Sequence, residues 1–575
     1  MENIKNKLKR LWRDTRPYKK RMIIGGAAVL AFCFTFIFFG PLEMVAFGGD
    51  SFLYTYKDVL LPISVIFAAV FIAATVLTSM LKGRVFDCAV SVLFAITVCG
   101  YLQAALFNGS LGILTGDMIR WDWHQWELLF DSLFWIFVTL FVFFILYLYK
   151  KLWTNIVTLV SVMLVIMQFI PAAAILGGFY EQAKITDLTS YTLSKDGMYE
   201  LSAENNLIVI VLDRLDYDYL EKVREKDPDF FDRLDGFTSY TNAISAYART
   251  RPALAQLLTG YEETAFKTTP EEYYNEAWEN GDDNILTLLG KEGYSVELYT
   301  SIKYLFGSTE YMDYVSNAKY LEKRNIVYPT LIGKLMNLSV YRYAPTAIKP
   351  FFWADTDYYN NDVFASDEDT YVFNDSEYAP ALAKVTADRE GSSFKLYHLH
   401  GPHTPHTMNA DGTQSDGYTS VTEQTMGSFN ILYSMFDRMK ELGVYKDATI
   451  IITGDHGDPV DDYVPLTKAT RIGLLYKPSG SEGTPLAESK APVCTDNIPA
   501  LILKSAGASF DGYSLPFDEV GEDDDTVRFH YKSTASKTDN RESVLYTYKV
   551  VGDAADFNNW EIIDVSEIES GNEFN

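Results

Sequence analysis

Five apolar stretches, each about as long as the 20 or so helical residues that cross a bilayer, crowd into the first third of the chain. They lie near Met22–Val45, Val59–Met80, Phe86–Phe107, Leu128–Tyr149 and Leu152–Gly178. No soluble core needs five consecutive runs of this length, so they read as membrane helices. The first follows a basic leader, as a signal peptide would. Four further spans, and no small-residue cleavage site at the right distance, argue for a retained helix. Basic residues set the orientation. The leader holds Lys5, Lys7, Lys9, Arg10, Arg13, Arg16, Lys19, Lys20 and Arg21, the second connection Lys82 and Arg84, and the fourth Lys150 and Lys151. The first and third connections offer only Lys57 and Arg120. The positive-inside rule then puts the N-terminus in the cytoplasm and everything after Gly178 outside. Trp121, Trp123 and Trp126 in the third connection read as anchors at headgroup level.

The rest of the chain is of a different kind. Residues 1–180 hold 15 Lys+Arg against 10 Asp+Glu, whereas the remainder holds 34 against 66, so the mean hydropathy of -0.03 averages two unlike halves. Clustered positive charge is what phosphate-backbone recognition requires, so the acidic half excludes a general nucleic-acid partner. An aromatic content of 15% excludes a disordered tail. Cys33, Cys88 and Cys99 sit in apolar runs and Cys494 has no partner in the acidic half, which excludes a disulfide scaffold.

From about Asn206 onward, short β-rich runs alternate with helical patterns. Leu207–Leu212, Ser295–Tyr299, Phe394–Leu399, Thr449–Thr453 and Gly473–Tyr476 read as strands. Tyr217–Lys226, Arg251–Leu258, Glu423–Leu442 and Thr495–Ala506 read as helices. A continuous apolar strand such as Leu-Ile-Val-Ile-Val-Leu is buried on both faces, so the expected fold is α/β, a mainly parallel sheet flanked by helices. The expected domains are 1–178 (five transmembrane helices), 179–205 (linker), 206–535 (catalytic) and 536–575, a terminal strand segment packing on the catalytic domain.

Polar residues just after buried strands lie at the carboxyl edge of the sheet, where open α/β folds carry their sites. Of seven histidines, His398, His400, His403 and His406 fall within nine residues, and His456 lies in Thr-Gly-Asp-His-Gly-Asp after a strand. Asp455 with His456 suits Zn or Mn. Asp213 follows the first buried strand and is a natural metal ligand, while Asp216 and Asp218 read as solvated. Thr250 precedes Pro252 at a helix start, so it is either an N-cap or a hydroxyl nucleophile whose target anion the helix terminus stabilises. Arg249 and Arg251 flank it and suit phosphate oxygens. His400 and His406 read as loop supports. Asn360, Asn361 and Trp353, in an aromatic-rich insertion, are candidates for shaping the pocket, although nothing in their spacing demands it.

The order strand-Asp213, Thr250 before Pro and Leu258-Thr259-Gly260, the His-rich loop, then Asp455-His456-Gly457 resembles the sulfatase branch of the alkaline phosphatase superfamily. Aligning the Leu-Thr-Gly puts Thr250 at the nucleophile and Leu254 where the family has an Arg. Thr cannot become formylglycine, which disfavours a formylglycine-dependent sulfatase. The chain is more similar to the membrane-anchored transferases of this branch, the lipoteichoic acid synthases and lipid A phosphoethanolamine transferases. That resemblance implies five transmembrane helices and an extracytoplasmic sulfatase-like domain. It also implies one divalent metal (Mn, Zn or Mg) on Asp213, Thr250, Asp455 and His456, with Asp213 standing where these transferases usually have Glu. His398, Gly401 and His403 match His-x-x-Gly-x-His, with His403 at the substrate-contacting position and His398 beside it, and Arg249 is the basic residue before the threonine.

The implied activity is transfer of phosphoglycerol or phosphoethanolamine from a phospholipid donor, through a phosphothreonine intermediate on Thr250, to an envelope glycan, glycolipid or polymer. Two alternatives differ in kind. In a sulfatase-like hydrolase of the same fold (a phosphodiesterase or sulfuric ester hydrolase) water is the acceptor, and turnover without an acceptor distinguishes it. An inactive membrane scaffold would bind no metal and would tolerate loss of Thr250.

Overall fold

The computed structural model describes residues 16–47, 54, 56–112, 124–182, 191–262, 264–279, 284–320, 326–353, 363, 371, 373–460, 464–534, 543–569, 572 and 574. The chain divides into two compact units, the first Met1–Thr186 with Arg324–Ser366 and Lys537–Asp539, the second Asp187–Lys323, Asp367–Ser536 and Asn540–Asn575.

In the first unit five helices among the described residues are long and apolar enough to cross a membrane: Tyr18–Ala46, Lys57–Met80, Gly83–Phe107, Gln125–Leu148 and Lys150–Gly177. They leave large apolar side chains exposed and bury polar ones. Phe137, Leu140 and Phe144 of the fourth are exposed by half or more, whereas its Asp131 is 1% exposed. Polar groups inside such a bundle must pair. Asp87 holds Arg16 and Lys150 at 2.6 and 2.8 Å, and Gln168 Nε2 donates to Thr35 Oγ1 at 2.9 Å. The first span carries a π-helical turn at Phe34–Phe39.

Residues 324–366, expected within the catalytic domain, belong instead to this first unit. The helix Tyr328–Tyr343 buries Leu331, Leu335, Leu338 and Tyr341, a stripe at helical spacing, among Phe34, Leu42 and Ile63. Ser339 Oγ donates to the carbonyl of Phe36 at 2.7 Å, and a Cβ at Gly40 would meet that hydroxyl at 2.2 Å. Arg342 pairs with Glu43 at 3.2 Å and Tyr343 donates to it at 2.9 Å. Thr346 donates to Asp131 through its backbone N and its hydroxyl. This helix was not singled out from sequence, and periodicity alone does not say which core such a stripe joins. Trp353 packs against this same cluster. Asn360, Asn361, Trp121, Trp123 and the leader before Arg16 lie outside the described residues.

The second unit is a seven-stranded sheet. Its strands are β1 (Asn205–Leu212), β2 (Thr238–Tyr240), β3 (Tyr294–Tyr299), β4 (Ser392–Leu399), β5 (Thr449–Thr453), β6 (Leu474–Lys477) and β7 (Ala487–Ser489), in the order β7-β2-β6-β5-β1-β4-β3. Strands β5, β1, β4 and β3 run parallel, and β6 pairs antiparallel with β5. Leu207, Val209 and Val211 enter one core layer while Ile208, Ile210 and Leu212 enter the other, which is why β1 is apolar at every position. Helix α1 (Tyr217–Lys226) and helix α3 (Val421–Leu442) cover the second layer; helix α2 (Thr250–Thr259) and helix α4 (Ile498–Ala506) cover the first. The five expected strands and four expected helices of this unit are present. The stretch expected as a linker carries two short strands, Tyr191–Leu193 and Glu200–Ser202, paired with Ala318–Tyr320 and Thr386–Arg389. The expected terminal strand segment supplies two strands of a three-stranded sheet, because Val527–Ser533 pairs with Val544–Val551, which pairs with Trp560–Glu567.

Candidate active site

The register of the central strands brings the candidate residues to one edge. Thr453 pairs with Val211 and Val211 with His398, so Asp213 and Asp455, each two residues further on, emerge side by side. His398 ends β4 and points into the same place, with Nε2 3.5 Å from Asp213 Oδ2. His456 Nε2 lies 3.8 Å from Asp213 Oδ1 and 3.6 Å from Asp455 Oδ2.

Thr250 opens α2, with Arg249 as the N-cap. Its hydroxyl therefore does not cap the helix. It faces Asp213 Oδ2 at 3.5 Å and His456 Nε2 at 3.4 Å. The bland expectation for Thr250, an N-cap, is thus replaced by a side chain aimed at the carboxyl edge from the positive end of a helix. Gly260, left-handed at φ 71, closes α2.

A second layer of contacts fixes these groups. Arg214, at φ 60, donates its backbone N to Asp455 Oδ1 at 2.9 Å and pairs with Asp458 at 2.8 Å. Asp458 N donates to Asp216 Oδ2 at 2.7 Å. Asp216, expected to be solvated, is 1% exposed and caps α1 through Asp218 N. Burial pushes its carboxyl up to about 6. Asp218 does face solvent, beside Lys468 and Arg471. The Nδ1 of His456 lies 2.7 Å from the carbonyl of Gly457 and so carries the proton, which leaves a lone pair on Nε2. His398 Nδ1 meets Thr300 Oγ1 at 2.9 Å, and Tyr371 donates to the His398 carbonyl. Asp375 is buried and accepts from the backbone N of His400 and Gly401 at 2.8 and 2.9 Å, which ties down the histidine loop. Burial pushes Asp375 up to about 6 against those two bonds.

Asp213 Oδ1 and Asp455 Oδ2 are buried with no hydrogen-bond partner among the described residues. Orphaned acceptors cost free energy unless a cation satisfies them. Ligand atoms of Asp213, His398 and Asp455 all lie within 4.8 Å of one another. Two carboxylates and imidazoles suit a divalent ion. Burial raises the Asp213 carboxyl, but the imidazoles of His403, His398 and His456 outweigh it and hold the group well below the usual range. Asp213, Asp455 and His398 form a group that could hold a metal ion, and it brings in His398, which was expected on the substrate side.

The remaining candidates surround this core. Arg249 and Arg251 sit at the first turn of α2, both partly exposed, with Arg251 5.9 Å over the Tyr304 ring. His403 lies in the loop, its Nδ1 2.6 Å from the Thr404 carbonyl and its ring 5.5 Å from that of His400. His406 Nε2 meets the Pro402 carbonyl at 3.1 Å, a loop-holding contact. Asp375, Thr300, Arg214 and Asp458 were not singled out from sequence. Only Arg214 and Asp458, adjoining the quoted motifs, carried any signal there.

Residues 205–508 match the family model described as Sulfatase. Solved structures similar to the chain include lipoteichoic acid synthase LtaP from Listeria monocytogenes (13% identity, 65% of this chain and 89% of that one, TM-score 0.33). Phosphonate monoester hydrolase SpPMH from Silicibacter pomeroyi is another (15% identity, 61% and 88%, TM-score 0.34). A third is a protein in the alkaline phosphatase superfamily from Vibrio parahaemolyticus (12% identity, 65% and 85%, TM-score 0.35). No curated protein matches the chain.

Proposed function

The chain belongs to the sulfatase family, and from that premise we propose that it is a metal-dependent transferase. It moves phosphoglycerol or phosphoethanolamine from a phospholipid, through a phosphothreonine intermediate, to a hydroxyl of an envelope glycan, glycolipid or polymer. One observation carries this reading. Thr250 Oγ1 is free of any capping role and lies within 3.5 Å of Asp213 and 3.4 Å of His456, at a helix N-terminus. That is the setting of a hydroxyl nucleophile for an anionic group.

In the first step Thr250 Oγ, its proton already released to solvent, forms a bond to the headgroup phosphorus as the bond from phosphorus to the diacylglycerol oxygen breaks. His403 supplies the proton that the departing oxygen takes up. In the second step His403 accepts the proton of the incoming hydroxyl, which displaces the headgroup from Thr250. Arg249 and Arg251 hold the non-bridging oxygens and His398 stands at the metal side of them. Asp213, Thr250, Asp455 and His456, with His398 adjoining, would hold the divalent ion. When bound, it lowers the pKa of the threonine hydroxyl, since a free alkoxide is negligible at neutral pH. The apolar helices keep the site beside its lipid donor and raise the effective concentration. In this reading the N-terminus is cytoplasmic and the second unit extracytoplasmic.

The test is mass spectrometry of the Thr250 peptide from metal-loaded protein incubated with mixed phospholipids. A phosphoglycerol or phosphoethanolamine adduct on Thr250, absent from Thr250→Ala, is the expected result. An adduct that turns over to free headgroup without any acceptor would assign the hydrolase reading. An unmodified threonine with metal bound would remove the lipid donor.

A further inference from the structure

We propose that the first unit binds one anionic phospholipid in a groove between the starts of the first and fifth spans, apart from any donor lipid. The groove has a volume of about 620 Å³, within the range of small-molecule sites. Its wall is apolar, with Ile23 54% and Leu159 62% exposed. Its rim is not apolar: Lys19, Lys20, Asn155 and Thr158 line it.

Charge decides what fits. Arg16 and Lys150, at the same helix ends, share the buried Asp87, which offsets one of their two charges. Lys19 and Lys20 are exposed and, among the described residues, no carboxylate pairs with them or lines the groove. Two uncompensated ammonium groups therefore stand over an apolar slot. The first span begins at Tyr18 and the fifth at Lys150, so two helix N-termini add their positive ends here. The Thr158 hydroxyl donates within its helix, to the Thr154 carbonyl at 2.9 Å, which turns its oxygen into a polar mark on the rim. An acyl chain matches the wall and a phosphodiester matches the rim. A zwitterionic headgroup would bring its own cation against the lysines. Basic pockets between membrane helices hold anionic headgroups on these grounds. The groove is lined wholly by residues of the first unit and by none of the candidate site residues, so it does not rest on the transferase reading.

The experiment is native mass spectrometry of the detergent-solubilised full chain, in a Thr250→Ala background so that no lipid is consumed, titrated with dioleoyl phosphatidylglycerol or phosphatidylcholine. One phosphatidylglycerol should bind in preference to phosphatidylcholine. Lys19→Gln with Lys20→Gln should weaken it about 30-fold and abolish the preference. Thr158→Trp, which fills the slot and leaves both charges, should displace the lipid; Lys151→Gln, outside the groove, should change nothing. Equal binding of the two lipids, an undiminished preference in the double variant, or an equal loss in Lys151→Gln would overturn the proposal.

Discussion

Gly401 lies at φ 56, and a Cβ there would come within 2.8 Å of the Asp213 backbone N. That contact is with backbone, which cannot move aside without moving the first strand's edge. Gly401→Ala is expected to cost about 2–4 kcal/mol of stability and to slow turnover further by displacing Asp213; urea unfolding and steady-state rates read the two effects. The metal ligands make a separate prediction. A cation that binds only the folded chain raises its melting temperature by mass action, so added Mn or Zn should raise the Tm of the wild type and not of Asp455→Ala. Glu262 gives a pH test away from these ligands. Its carboxyl, bonded to Gln256 at 3.1 Å, is pushed up to about 8 by burial and by the neighbouring Asp496. Because the folded chain holds this proton more tightly than the unfolded one, the group's stabilising contribution is complete below about pH 4.5 and is lost as pH rises through about 8. Glu262→Gln keeps the amide contact without the titration. Its melting temperature should therefore gain on the wild type progressively from pH 5 to pH 9.

Among elements, α1 shows how a cap and a catalytic edge become one structure. Asp216 accepts from Asp218 N to start the helix and from Asp458 N to hold the turn after β5, and Asp458 in turn holds Arg214 against Asp455. Asp216→Ala should cost about 2–3 kcal/mol, a lost cap plus an orphaned amide. It should also weaken metal binding roughly 10-fold or more, as removal of ligand-orienting partners does; thermal melts and metal titration separate the two. The comparison with sequence turns on such links. The position of Asp213, Asp455 and His456 at one sheet edge was legible because each lies within three residues of the end of a buried strand, and β1, apolar along Leu207–Leu212, announced a strand covered on both faces. Thr250 was legible as a residue at a helix start, and the position of Arg249 as N-cap removes the capping alternative. Asp216 was misjudged as solvated, since a carboxylate beside another carboxylate gives no sign that it will be buried. Asp375 and Thr300 were invisible, because they come from distant segments and acquire their roles only when the chain closes on the His398–His406 loop.

In the molecule as a whole, the helix Tyr328–Tyr343 ties late sequence into the first unit. The helix was not singled out from sequence, and a Leu stripe fits any apolar partner, so its destination had no local sign. The pairing of Glu43 with Arg342, partly buried and joined by Tyr343, should be strong in a double-mutant cycle. Glu43→Gln and Arg342→Gln are expected to couple by about 1–3 kcal/mol in melts of the solubilised protein, and either alone should leave a charge without its partner. The same contact sets a clock on biosynthesis. Glu43 and Arg342 are 299 residues apart, so at roughly 5–20 residues per second the ribosome needs about 15–60 s to deliver the second after the first. Through that interval Glu43 has been made and Arg342 has not, so this contact closes only after more than half of the chain has been synthesised.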